Sequence, residues 1–124
     1  MSDYETAVQI VDSYMTAMSS ADYAAVVDLY ADNATLEDPV GSGVKSGKAA
    51  ISEFYHGIGE AGLRCTRSGP VRYANQELVF PFVCEMPSPD GTLKIEIIDH
   101  FVLDDDNKVA AMRAFWGPDN TSVV

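Results

Sequence analysis

Residues 93–103 read LKIEIIDHFVL, and the alternation within this segment indicates the class of fold. In a β-strand, successive side chains point to opposite faces, so every second residue of the segment shares one face. One of the two faces carries, in order, Ile95, Ile97, Asp99, Phe101 and Leu103. Four of these five residues are apolar, so the segment predicts a half-buried strand whose inner face includes the carboxyl group of Asp99.

The segments around this strand have the same period of two residues. Further strands are predicted at residues 63–68, 71–74, 78–86 and 109–116. The segment 78–86 has its own apolar face, made of Leu78, Phe80, Phe82, Cys84 and Met86. Polar segments at residues 87–91 and 104–107 have the length of hairpin turns, so these strands are predicted to pair antiparallel.

The first third of the chain has helical periodicity instead. A first helix, with Ser2 or Asp3 as its N-cap, is predicted from apolar residues at helical spacing: Ala7, Ile10, Val11, Tyr14, Met15 and Met18. A second helix runs through Leu29 and Tyr30, an extended piece covers residues 34–39, and a third helix spans about residues 47–58. Helices followed by hairpins predict one α+β domain over residues 1–124, with three N-terminal helices packed on a mainly antiparallel sheet.

Composition narrows the range of partners. The chain has 124 residues and a net charge of −11, which argues against nucleic acid and anionic membrane surfaces as partners. The acidic N-terminus has no secretory signal, and no apolar run is long enough to span a membrane. We therefore expect a cytoplasmic protein with reduced thiols, although the spacing of Cys65 and Cys84 leaves a disulfide open.

Three polar residues fall where a core is predicted or beside a turn. A buried carboxylate without a basic partner is costly, so Asp99 is expected to have a raised pKa and to keep its proton. Alternatively, Asp99 caps a turn or a bulge turns it outward. Tyr14 lies on the apolar stripe of a helix, so it could equally be an ordinary core residue. Asp38 precedes Pro39, so it could equally be an ordinary turn residue.

Taken together, these residues resemble a known family. The chain resembles ketosteroid isomerase, within the superfamily named for nuclear transport factor 2. The resemblance covers nearly the whole chain and is carried by Tyr14 in Asp-Ser-Tyr-Met, the stretch Leu29 to Gly41 with its Glu-Asp-Pro, Glu53-Phe54-Tyr55, Ser68 to Arg72, Ile98-Asp99-His100-Phe101 and Met112 to Trp116.

The resemblance implies both a fold and a reaction. It implies a curved sheet that forms a conical pocket, a homodimer through the outer face of the sheet, and a steroid substrate with no metal or cofactor. The family converts 3-oxo-Δ5-steroids to conjugated Δ4-enones. Asp38 would be the ionised base, kept charged by partial solvation in its loop, while Tyr14 and protonated Asp99 would donate hydrogen bonds to the O3 oxygen.

The resemblance also implies a pocket around these three residues. Tyr55 and Tyr30 would extend a hydrogen-bond chain behind the Tyr14 hydroxyl, and Trp116 would form pocket wall near Asp38. An apolar steroid slot would be lined by Phe54, Phe82, Cys84, Met86, Phe101, Met112 and Ala114. Such residues are also ordinary core residues. Ser20 stands where an apolar residue is expected at the distal end of the slot.

Two other functions remain open from the sequence. The same superfamily contains acid–base enzymes of other types, such as polyketide cyclases and epoxide hydrolases, with other polar groups in the pocket. The fold would also suit a non-catalytic module that binds small hydrophobic molecules. The set of Tyr14, Asp38 and Asp99 favours the isomerase over both.

Overall fold

A computed structural model describes residues 1–60 and 62–124. Its elements, in chain order, are α1 (Asp3–Ser19), α2 (Tyr23–Asp28), β1 (Tyr30–Glu37), β2 (Lys45–Ser46), α3 (Lys48–His56), β3 (Arg64–Arg67), β4 (Arg72–Ala74), β5 (Glu77–Ser88), β6 (Gly91–Leu103), β7 (Val109–Phe115), a 3-10 helix (Pro118–Asn120) and β8 (Thr121–Val123). Within these described ranges, no helix has both the length and the apolar character needed to cross a membrane.

One curved, open sheet of mixed strands forms the base on which the helices lie. The strand order is β2-β1-β7-β6-β5-β3, with β4 paired to β5 and β8 paired to β6. The long hairpin of β5 and β6 is in unbroken register from Glu77 opposite Val102 to Ser88 opposite Gly91. The predicted α+β fold, with three helices on a mainly antiparallel sheet, is confirmed.

Helix α1 begins where its sequence provides a cap. The Ser2 hydroxyl accepts a hydrogen bond from the Glu5 backbone N–H, and the Glu5 side chain accepts one from the Ser2 backbone N–H. This capping box satisfies two donors that a helix N-terminus otherwise leaves unpaired. The buried face of α1 matches the predicted stripe closely and places Tyr14 against the sheet.

The prediction that Tyr30 belongs to the second helix is wrong. Helix α2 ends at Asp28, and Tyr30 opens strand β1, which pairs parallel with β7 and sets Tyr30 opposite Val109. The Val109 N–H donates to the carbonyl of Leu29 at 2.8 Å, so this distant strand ends the helix. Hairpin patterns describe only strands that are neighbours along the chain, which is why a parallel pair was not foreseen.

Helix α1 is attached to the edge of the sheet by one hydroxyl group. The Ser19 Oγ accepts a hydrogen bond from the Cys65 N–H at 2.9 Å and donates to the Cys65 carbonyl at 3.1 Å. Strand β3 lies at the edge of the sheet, so these two backbone groups have no strand to pair with on that side. Ser19 thus satisfies the hydrogen bonds of two backbone groups in the edge strand and also holds α1 over that strand.

We expect Ser19→Ala to destabilise the fold by about 1–2 kcal/mol, because it leaves a buried backbone N–H and carbonyl without partners. The measurement is urea unfolding followed by circular dichroism. Ser20→Ala is the matched control, since the Ser20 hydroxyl bonds only to Thr16 of its own helix. Equal losses of stability in the two variants would contradict a special role for Ser19.

Candidate active site

Asp99 lies in the middle of the sheet with an uncompensated carboxyl group. It is opposite Phe80 of β5 and Ala114 of β7, and only 1 % of its surface is exposed. Neither of its carboxyl oxygens has a hydrogen-bond partner in the part of the chain that the structure describes. The one bulge between β6 and β7 falls after Val102, so the alternatives of a turn cap or an outward bulge are wrong.

Burial sets the protonation state of Asp99. Removal from water raises its pKa well above the ordinary value of an aspartic acid, and the negative charge of Asp38 raises it further. A charged carboxylate without a hydrogen bond in apolar surroundings would be very costly, whereas the neutral acid is far cheaper. The environment therefore favours a protonated Asp99, which has an O–H group available to a ligand.

Three tyrosine hydroxyls form a buried chain beside Asp99. The Tyr14 hydroxyl from α1 lies 3.1 Å from that of Tyr55 in α3, which lies 2.5 Å from that of Tyr30 at the start of β1. The hydrogen bond to Tyr55 lowers the pKa of Tyr14, as a bond donated to it would, and the bond to Tyr30 likewise lowers the pKa of Tyr55. Either hydroxyl of each pair can donate, and donation from Tyr30 through Tyr55 to Tyr14 would leave the Tyr14 proton available to a ligand.

Tyr14 and Asp99 share one apolar patch. The Tyr14 ring packs edge-on against Phe101 at 5.4 Å and against Phe80 at 6.3 Å between ring centroids. Phe101 lies two residues after Asp99 on the same strand face, and Phe80 is the cross-strand partner of Asp99. Burial raises the pKa of Tyr14, and ionisation of Asp99 would raise it further, which places the two groups within Coulombic range.

The ionised form of Asp38 is supported by two protein groups. Asp38 follows β1 and is partly buried, and this burial raises its pKa. Two protein groups act against burial: the Trp116 Nε1–H donates to Asp38 Oδ1 at 2.8 Å, and the positive charge of Lys45 lowers the pKa. Trp116 thus lies beside Asp38, where the resemblance placed it.

Lys45 was missed by the sequence reasoning. It sits on β2 opposite Leu36, and its Nζ lies 5.4 Å from the centroid of the Phe54 ring. A cation over an aromatic face is attracted to the ring while it retains its charge. Lys45 precedes Phe54 by nine residues, and the two lie on different elements, β2 and α3, so no sequence periodicity indicates this contact.

The predicted lining residues fall into two groups. Those buried on the inner face of the sheet are Phe82, Cys84, Phe101, Met112 and Ala114, and those partly buried around its rim are Phe54, Met86 and Trp116. Ser20 is exposed at the end of α1. His100 points to the other face and contacts Glu77 at 2.8 Å, as alternation predicts.

An open cavity of about 580 Å³ reaches Phe82 and Trp116. It also extends over Pro81, Ile98 and Phe115, whose side chains belong to the outer face of the sheet. Tyr14 and Asp99 are not among its lining residues. The two hydroxyl donors are thus held in the packed interior, while Trp116 is shared between the cavity and Asp38.

The described geometry matches a known family. Residues 11–118 match the SnoaL-like domain, which is most of the chain. The chain belongs to the SnoaL-like domain family. This places it in the superfamily of nuclear transport factor 2, as the sequence resemblance implied.

Individual relatives of the chain are enzymes. It is 38% identical over 108 residues to a steroid Delta-isomerase of Nocardioides simplex, with 87% of each chain covered. It also superposes with a TM-score of 0.89 and 29% identity, over all of both chains, on the epoxide hydrolase/cyclase-like enzyme SalBIII, described for pyran ring formation in polyether salinomycin. These isomerase and cyclase relatives support an enzyme of this superfamily.

We expect Asp99→Asn to gain stability relative to the parent protein as the pH rises. The raised pKa means that folded Asp99 keeps a proton that the unfolded chain releases above about pH 4. The parent therefore loses up to about 1.4 kcal/mol per pH unit from that pH until the folded pKa is reached, and the asparagine variant does not.

Urea unfolding at pH 4, 5, 6 and 7 measures this difference. Asp32→Asn is the matched control, since it removes the same charge from a side chain that is 99% exposed. A stability difference between Asp99→Asn and the parent that stays constant across this range would show that Asp99 is ionised in the folded protein.

Proposed function

We propose that this protein is a steroid Δ5-isomerase that converts 3-oxo-Δ5-steroids to 3-oxo-Δ4-steroids. The observation that carries the proposal is the buried carboxyl of Asp99, which has no hydrogen-bond partner among the described residues and lies in the same apolar patch as Tyr14. Two neutral donors in an apolar site suit an oxygen that becomes negative during reaction. The 38% identity to a steroid Delta-isomerase supports the same reaction.

In this proposal Asp38 moves the proton. Its ionised carboxylate removes a proton from C4 of the steroid, and the electrons of that C–H bond flow into a dienolate with its charge on O3. The neutral Asp38 then returns the same proton at C6, so the C5–C6 double bond moves to C4–C5. One base thus serves both carbons, and no other reactant is consumed.

Tyr14 and Asp99 stabilise the dienolate. Each donates one hydrogen bond to O3, and such a bond strengthens as the oxygen becomes negative. The bonds donated along the chain from Tyr30 through Tyr55 increase the acidity of Tyr14 without themselves reaching the substrate. The surrounding Phe80 and Phe101 keep water away, so the donors are not lost to solvent.

The remaining predicted residues would hold the steroid rings. The proposed slot uses the apolar inner face of the sheet with Phe54 and Trp116 at its rim: Phe82, Cys84, Met86, Phe101, Met112 and Ala114. Rigid, apolar ring systems are bound by burying their surface against such side chains. Trp116 has a second task in this scheme, because its N–H favours the ionised form of Asp38.

A second candidate is a cyclase or epoxide hydrolase. It is favoured by the close structural match to SalBIII, whose name includes both activities. A carboxylate base and a neutral acid could also deprotonate an attacking hydroxyl and protonate an epoxide oxygen. The isomerase is preferred because both donors, Tyr14 and Asp99, lie together in apolar surroundings, which suits one developing oxyanion.

The test is the ultraviolet absorbance that follows addition of 5-androstene-3,17-dione, because only the isomerised product contains the conjugated enone. We expect the parent to be active and Asp38→Asn to lose about 10²–10⁴-fold in kcat, with binding of a phenolic steroid unchanged or tighter. Asp32→Asn should keep parental activity, since its side chain points to solvent.

Absence of the enone with the parent protein would overturn the isomerase proposal. An active parent together with an equally active Asp38→Asn would instead leave the reaction in place and remove Asp38 as its base.

We also propose that the protein forms a homodimer through the outer face of the sheet. Val79, Ile98 and Phe115 on that face are 38%, 48% and 45% exposed, a large apolar exposure for three adjacent strands. Ile98 is paired with Phe115, so their side chains form one patch.

Sedimentation of the parent protein at micromolar concentration should give about twice the mass of the chain. The variant Ile98→Asp should sediment as the monomer. A monomeric parent protein would contradict the proposed dimer.

A further inference from the structure

Two cysteines that are distant in sequence face each other across two strands. Cys65 of β3 is directly opposite Cys84 of β5, and each is only 6% exposed. Both are free thiols. Cys84 lies on the inner face of the sheet, between Phe82 and Met86, so the thiol pair borders the proposed slot.

The backbone shows which kind of cross-strand pair this is. Both the N–H and the carbonyl of Cys65 are bonded to the Ser19 hydroxyl of α1, on the side away from β5. In an antiparallel ladder, a residue whose backbone groups point away from its neighbour forms a non-hydrogen-bonded pair with it. In such pairs the Cα atoms are about 4.5 Å apart, within the range of about 4.4–6.8 Å that a disulfide spans.

Cys65 lies close enough to Cys84 to affect its ionisation. Interaction with the Cys65 thiol is the largest cause that raises the pKa of Cys84, ahead of burial. The negative charge of Asp38 also disfavours the Cys84 thiolate, so Cys65 is the better placed of the two to act as the nucleophile.

We propose that Cys65 and Cys84 form a modification site, which hydrogen peroxide or a similarly small two-electron oxidant converts into an intramolecular disulfide between β3 and β5. The oxidant must be small because both thiols are buried. The proposal does not depend on the steroid reaction.

The chemistry balances in two steps. The Cys65 thiolate attacks one oxygen of hydrogen peroxide, the O–O bond breaks, and the leaving hydroxide takes up a proton to form water. The resulting sulfenic acid is attacked by the Cys84 sulfur, the S–O bond breaks, and the departing hydroxide takes the Cys84 proton to form a second water. Each sulfur loses one electron overall, and the two peroxide oxygens gain them.

The disulfide would act on both the edge of the sheet and the slot. Strand β3 is held on one side by β5 and on the other by the Ser19 hydroxyl, and the disulfide would fix it to β5 covalently. The disulfide would also turn the Cys84 sulfur toward β3. The wall of the proposed slot would then contain a disulfide sulfur in place of the Cys84 thiol. The link closes a loop of about 20 residues, which restricts the unfolded chain. The disulfide should therefore raise the free energy of unfolding.

The experiment begins with the fully reduced, folded protein. It is treated with hydrogen peroxide near neutral pH, alkylated in denaturant and digested for mass spectrometry. We expect one linked pair of peptides containing Cys65 and Cys84, a chain lighter by about 2 Da, and full reversal by dithiothreitol. The oxidised protein should melt about 5–15 °C higher than the reduced protein.

Two single variants serve as controls. Cys65→Ser and Cys84→Ser each retain one thiol, so neither can form the linked peptides or show the rise in melting temperature. Three results would overturn the proposal: thiols that stay free in the parent, separate sulfinic acids on the two cysteines, or disulfides between two chains. A linked protein that melts below the reduced one would show that the strand geometry does not accommodate the bond.

Discussion

The rest of the site depends on the burial of one carboxyl group that has no hydrogen-bond partner among residues 1–60 and 62–124. Asp99 occupies an inner-face position of β6, where both neighbouring strands offer only apolar side chains, Phe80 and Ala114. Folding therefore places there a group whose charged form is strongly disfavoured. The sheet thus accepts a cost in stability and obtains a neutral acid inside an apolar wall, a group that no exposed aspartate could provide at neutral pH.

The two carboxyl groups differ both in burial and in their neighbours, since Asp99 is buried and Asp38 is partly buried. Burial raises the pKa of both Asp38 and Asp99. Only Asp38 has an N–H donor, that of Trp116, and a cation, Lys45, acting in the opposite direction. The charge on Asp38 in turn raises the pKa of Asp99, so ionisation of the first group helps to keep the second neutral.

Local patterns predicted the strands and the inner-face position of Asp99, because a period of two residues is written in the sequence itself. The helical stripe likewise placed Tyr14 in the core. Contacts between distant segments could not be derived in this way. The Tyr14–Tyr55–Tyr30 chain and the neighbourhood of Trp116 and Asp38 were expected only through the family resemblance.

The wrong prediction for Tyr30 has the same physical origin. Tyr30 was assigned to a helix because its preference for β1 comes from pairing with Val109, nearly 80 residues later. The Trp116 hydrogen bond that favours the ionised form of Asp38 likewise joins positions 78 residues apart, so no local pattern contains it.

The parallel pairing of β1 with β7 has a consequence for the order in which the protein folds. Asp38 directly follows β1, while its partner Trp116 directly follows β7, 78 positions further along the chain. Closing so long a loop carries a large entropic cost, which makes such contacts late and slow to form. On a ribosome, the helices and the β5–β6 hairpin emerge before β7, so Asp38 obtains its hydrogen bond only after nearly the whole chain has been synthesised.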